Sequence, residues 1–207
     1  MRRTKEDAEK TRLAILAAAE ELFLERGVAH TSLEQIAREA GVTRGAVYWH
    51  FENKAQLFHA LLSQVRLPLE QMTERFNGNP GEDALQTLAN LCIEALEGLV
   101  LEPQKRRIFT ILLHRCEFTD ELRDAEIRHE SFINDFINLV EQQFCQPDIR
   151  QRLRPEMTPA LAARALHAMI VGLFSDWLRD PELFDPLKHG RIIIDSFIAG
   201  LVQQPNL

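Results

Sequence analysis

Long apolar runs are missing from this 207-residue chain. The longest uninterrupted ones, 13–19 and 168–174, are seven residues each. A membrane-spanning helix needs ~20. The basic start, MRRTKEDAEK, has no apolar stretch behind it, so it does not read as a signal peptide, and a cytoplasmic protein is expected. Cysteine is scarce. Cys92, Cys116 and Cys145 are widely spaced and form no CxxC, which argues against a disulfide framework or zinc knuckle and for free thiols in a reducing compartment. The period-2 alternation of strands is absent, as are internal repeats and low-complexity tracts.

The motifs of catalysis are missing too. There is no nucleotide-binding glycine motif and no nucleophile elbow. Glu126 and His129 form one Glu-x-x-His, but helical di-iron sites need two, and no other histidine follows a glutamate by three. His114, Cys116 and Glu117 are close in sequence, yet Cys116 falls on a different helical face. No enzyme, metal or cofactor is expected.

What is present is an ordinary globular composition, 45% apolar and 27% charged, with a net charge of −7. The charge is uneven. Residues 1–66 hold 10 basic and 9 acidic side chains, a net of +1; residues 67–207 hold 14 and 22, a net of −8. An acidic chain with one near-neutral end can still bring that end to nucleic acid.

Nearly every segment reads as helix. The first is expected over 4–26, with Ile15, Leu16, Ala19, Leu22 and Phe23 on one face and Gly27 as its stop. Short helices follow at 33–40 and 44–50. Thr31 and Ser32 are candidate caps for the first, answered by Glu34 or Gln35, and Thr43 caps the second. Asn53 caps a long helix over 54–76, kinked at Pro68. Further helices are expected at 82–101, 103–116, 119–145, 158–179 and 187–203, with 146–157 a charged surface loop.

The segment 33–51 carries the chemistry. Two short helices meet at Gly41-Val42-Thr43, Ala37 is small where they would cross, and Ile36, Val42 and Val47 are spaced to bury one side of both. This is the pattern of a helix-turn-helix, whose second helix enters a major groove. Thr43, Arg44 and Gly45 sit at that helix's N-terminus, where free N–H groups favour a phosphate. Arg44 has the fork to read a guanine edge or hold a phosphate. Tyr48 lies one turn on, and His50 and Lys54 are candidate phosphate contacts. Two other readings fit the same pattern: a solvated Arg-x-x-x-Tyr face, or a core formed by Tyr48, Trp49 and Phe51.

The stretch 31–54, TSLEQIAREAGVTRGAVYWHFENK, resembles the DNA-binding domain of the TetR family of transcriptional regulators. The resemblance implies an all-α protein: a three-helix DNA-binding domain at 1–66, with its helix-turn-helix about 33–52, and a helical effector-binding and dimerisation domain at 67–207. It implies DNA contacts from Thr31, Ser32, Thr43, Arg44, Gly45, Tyr48, His50 and Lys54, and leaves Trp49 unassigned. The start RRTKEDAEKTR and the segment 106–122, RRIFTILLHRCEFTDEL, are similar to the multidrug-efflux-repressor branch typified by AcrR and TtgR.

That likeness implies a repressor released from operator DNA by a hydrophobic or aromatic small molecule. The residues expected to line the pocket are Val65, Leu69, Cys92, Leu96, Phe109, Leu113, Phe136, Val140, His167, Val171 and Ser175. His167 and Ser175 are the orienting polar groups. Helices 158–179 and 187–203 are the expected homodimer surface, through Leu161, Ala165, Ala168, Ile170 and Leu173 on one and Ile192, Ile194, Phe197, Ile198 and Leu201 on the other. The same residues could instead close the monomer's core. The helix 54–76, moved near Pro68, is the expected switch. Rival readings are a TetR-like regulator of another pathway, an activator and a ligand-independent DNA binder.

Overall fold

The computed structural model describes residues 5–65, 69–78 and 83–203. Its described residues form eleven α-helices and a 3-10 turn, with no β-strand. A single antiparallel bridge pairs Leu153 with Val202. The chain packs as two compact units.

The first unit comprises Met1–Arg66 and Arg107–Glu130. It contains α1 (Lys5–Arg26), α2 (Leu33–Glu39), α3 (Arg44–His50), α4 (Lys54–Leu62), the end of α7 (Pro103–His114), the 3-10 turn Asp120–Leu122 and the start of α8 (Arg123–Phe144). The apolar face expected on α1 is buried, with Ile15, Ala19 and Phe23 fully out of water. Phe23 meets Phe58 of α4 edge to face, 6.0 Å between ring centres. Burying one such side chain contributes ~1.5–3 kcal/mol. Gly27 ends α1 at φ 86°, where a side chain would strain the backbone.

In the packing, residues 107–130 join 1–66. Ile108, Ile111, Leu112, Leu122 and Ala125 are buried in one core with the residues of α1–α4. Arg107 forms an ion pair with the buried Glu20, and the Val28 N–H donates to the Arg115 carbonyl at 3.0 Å.

The second unit comprises Leu67–Arg106 and Ser131–Leu207. Within it lie α5 (Leu69–Gly78), α6 (Ala84–Leu101), the rest of α8, α9 (Pro147–Arg150), α10 (Pro159–Arg179) and α11 (Pro186–Leu201). Thr158 and Asp185 cap α10 and α11, each followed by a first-turn proline. The α6 helix packs against α5, α10 and α11. Gly190 of α11 lets Leu96 come so near that an added Cβ would lie 3.0 Å from its Cδ2. By length and composition α6 and α10 could each cross a membrane, but half of α6 is buried inside the protein.

Three expectations change. The single helix over 54–76 is not formed: α4 stops at Leu62, and α5 begins at Leu69. Pro68 has no N–H to continue a helix and disfavours helical backbone in the residue before it; it lies outside the described residues. The helix expected over 119–145 opens as the 3-10 turn, because Leu122 turns into the core with no exposure. The connection 146–157 contains α9, and Ile149 and Leu153, four apart, are both buried.

Candidate nucleic-acid interface

Local chemistry fixes the helix-turn-helix. Ser32 caps α2 through a full capping box: its Oγ accepts from the Gln35 N–H at 3.2 Å, and Gln35 Oε1 accepts from the Ser32 N–H at 2.7 Å. Gly41 takes φ 65°, which lets the Val42 N–H return to the Ala37 carbonyl at 2.9 Å. Thr43 Oγ1 then accepts from the Ala46 N–H at 3.2 Å and starts α3. Ile36, Ala37 and Val47 are buried between the helices, and Val42 is half-buried. Phe51, also buried, anchors the end of α3, with the Arg12 guanidinium 5.7 Å from its ring centre.

With Val47 and Phe51 inward, the opposite face of α3 looks to water. Thr43, Arg44, Gly45, Tyr48 and Trp49 are all exposed, and His50 is half-buried. An Arg44 N–H donates to the Tyr48 hydroxyl at 3.4 Å, with the guanidinium 5.4 Å from the ring centre. That hydrogen bond raises the Arg44 pKa above its ordinary value. Trp49 is the most exposed aromatic of the helix, at 72%, and stands edge-on to His50 at 4.5 Å. Residue periodicity contained this signal. At ~100° per residue, Trp49 lies about 200° around the helix from the core-facing Val47. The exposed Arg38 of α2 and the stacked Arg12 were also outside the sequence reading.

Two of the eight residues implied as DNA contacts are turned inward. Thr31 is 1% exposed, and its hydroxyl donates to the Gly27 carbonyl at 2.9 Å. Lys54 is 3% exposed; its ammonium donates to the Thr31 carbonyl at 3.0 Å and pairs with Glu121 at 2.8 Å. Neither side chain is more than 3% exposed, and both donate hydrogen bonds within the protein. Ser32 is exposed, but its Oγ serves the cap.

The eleven residues expected around an effector do not share one unit. Val65, Phe109 and Leu113 pack half-buried against the first unit's core. The other eight lie in the second unit. Cys92, Leu96 and Val140 are buried there, and Leu69, Phe136, His167, Val171 and Ser175 are half-buried. Phe136 and His167 come together, 6.1 Å between ring centres. Burial, followed by the nearby Arg164 charge, lowers the His167 pKa. Burial pushes the Cys92 thiol up to about 12.

The expected dimer face also divides. Ile170, Ile194, Ile198 and Leu201 are buried within the monomer. Leu161, Ala168 and Ile192 remain exposed, joined by Leu183 and Leu187. Among the described residues no three His, Cys, Asp or Glu side chains are grouped to hold a metal.

Comparison with known proteins agrees with this geometry. The family model for bacterial regulatory proteins of the tetR family matches residues 15–61. That for the C-terminal region of MAATS-type transcriptional repressors matches 83–203. The transcriptional regulator TtgR of Pseudomonas putida is 38% identical over 207 residues, covering 100% of this chain and 99% of its own. The crystal structure of NalD, the secondary repressor of the MexAB-OprM multidrug efflux pump in Pseudomonas aeruginosa, superposes with a TM-score of 0.91 at 60% identity, covering 96% of this chain and 99% of that one. SmeT, the repressor of the Stenotrophomonas maltophilia efflux pump SmeDEF, solved with triclosan, gives 0.78 at 32% identity, covering 94% and 92%. A helix-turn-helix with an open recognition face, inside a chain matched from end to end by such regulators, has one family reading: this protein belongs to the TetR family of transcriptional regulators.

Proposed function

We propose that this chain is a homodimeric repressor of a multidrug efflux pump operon, released from its operator by a hydrophobic small molecule. The observation that carries the reading is the near-complete match to NalD at 60% identity, since NalD is itself an efflux-pump repressor. The exposed face of α3 supplies the reader. Arg44 holds a guanine edge or a phosphate, Thr43, Gly45 and Tyr48 lie against the groove, and His50 borders the backbone. The exposed Leu161, Ala168 and Ile192 of α10 and α11 support a two-fold interface. Such a dimer presents two recognition helices to half-sites about one DNA turn apart, ~34 Å or a multiple.

An effector releases DNA only by binding the DNA-incompetent shape more tightly. A hundredfold change in affinity needs ~3 kcal/mol of coupling. The triclosan held by SmeT supports an apolar effector. Phe136 and His167 are suited to one, because a histidine with a lowered pKa is neutral near pH 7 and offers a hydrogen bond without a buried charge. The test is a gel shift on the DNA upstream of the protein's own gene, titrated with triclosan and other hydrophobic drugs. A retarded band that vanishes with one compound supports a DNA binder released by an effector. A band indifferent to every compound refutes the effector, and no band at low salt refutes the operator assignment.

A further inference from the structure

We propose that Lys54 is a positioning residue of the DNA reader, held in place by Glu121, and makes no phosphate contact; the proposal rests on the DNA-binding reading above. An ammonium group has three donors. Here they meet the Thr31 carbonyl at 3.0 Å, the Ala29 carbonyl at 3.5 Å and the Glu121 carboxylate at 2.8 Å. A buried ammonium group needs acceptors and a counter-charge, and Glu121, itself 59% exposed, supplies the counter-charge.

The segment held this way runs directly into α2. Ala29 and Thr31 precede Ser32, the α2 cap, and α2 carries the turn and α3. The same segment is fastened at two other points. The Thr31 hydroxyl bonds to Gly27, and the Val28 N–H bonds to the Arg115 carbonyl. Two of these anchors, Arg115 and Glu121, lie outside the region matched by the DNA-binding family model and inside the one matched by the C-terminal model. Leu122, fully buried, pins the turn that carries Glu121. The position of the helix-turn-helix therefore depends on a carboxylate supplied by the effector-region sequence, with Lys54 as the connecting group.

The experiment measures DNA affinity against potassium chloride concentration for the full-length protein, Lys54→Met, Glu121→Gln and the double variant. The probe is a duplex selected from a random pool by the unmodified protein. Removing a carboxylate should by charge alone tighten binding to DNA. A positioning role predicts the reverse: Glu121→Gln weakens binding about threefold to fivefold at every salt concentration. Lys54→Met weakens it by about tenfold or more because carbonyls lose their donor. Neither changes the salt slope, and the double variant binds no worse than Lys54→Met. A slope reduced by ~0.9 in Lys54→Met marks a lost phosphate contact and overturns the proposal. Equal or tighter binding by Glu121→Gln also overturns it.

If Lys54→Met does not fold, Glu121→Gln carries the test, since that side chain is largely in water. Amide hydrogen exchange at residues 29–32 of the free protein reads the same link without DNA. Faster exchange in Glu121→Gln is expected, and unchanged exchange overturns the proposal. Failure of the random pool to yield any duplex would refute the DNA-binding reading separately.

Discussion

Replacing Thr31 with valine separates a structural hydroxyl from a DNA-contacting one. Valine keeps the shape and removes only the hydroxyl. In the folded chain that hydroxyl is 1% exposed, donates to the Gly27 carbonyl at 2.9 Å and lies 3.4 Å from the Leu22 carbonyl. The change deletes one hydrogen bond and leaves a buried carbonyl short of a donor, a loss of about 1–2 kcal/mol. For a chain of this size each kcal/mol lowers Tm by ~2–4 °C, so a fall of about 2–8 °C is expected. A thermal melt followed by circular dichroism at 222 nm reads it. Operator affinity of the folded protein should hold, because the side chain does not reach solvent. An unchanged Tm together with operator binding weakened about fivefold or more would refute the reasoning and place the hydroxyl on DNA.

Alkylation by iodoacetamide at pH 8 should mark Cys145 first, since it is exposed while burial pushes Cys92 and Cys116 up to about 12; equal labelling of all three in the folded protein would contradict the packing. His167, whose pKa is lowered in the folded state, binds its proton more readily when unfolded. Its contribution is therefore intact above the ordinary histidine value of ~6.5 and is lost as pH falls below it. The difference in Tm between pH 7.5 and 5.5 should shrink in His167→Gln; a difference that persists unchanged would remove His167 as its source. Phe136→Ala should raise the triclosan concentration needed for operator release by about fivefold or more while apo DNA affinity holds, since the ring meets His167 in the second unit; a matching fall in apo DNA affinity would make Phe136 structural.

Much of the first unit was legible because its signals are local. The ends of α1 and α2 follow from Gly27 and the Ser32–Gln35 box, and α3 spans the residues that Thr43 and Val47 imply. The open face of α3 follows from which residues bury. What sequence hid is long-range. Lys54 carries the residue type of a phosphate contact, and only its distant pairing with Glu121 turns it inward. Residues 107–130 look like effector-domain helix, yet Ile108, Ile111 and Leu112 bury into the first unit's core. Periodicity shows which face of a helix is apolar and not which neighbour covers it. Hence four of the ten expected dimer residues, Ile194 and Ile198 among them, are buried within the monomer. Pro68 announced a break, but a kinked continuous helix and two separate ones share that signal.

The central claim is that the exposed face of α3 reads DNA through Arg44. It is tested most directly by fluorescence anisotropy of an operator duplex with the unmodified protein and Arg44→Ala, repeated on single-base-pair variants of the site. The account predicts that Arg44→Ala weakens operator binding by on the order of tenfold to a hundredfold with the melting curve preserved. Relaxed discrimination at one base pair would place Arg44 on a base edge, and a uniform loss with a lower salt slope would place it on a phosphate. Unchanged affinity in a folded Arg44→Ala protein would contradict the account.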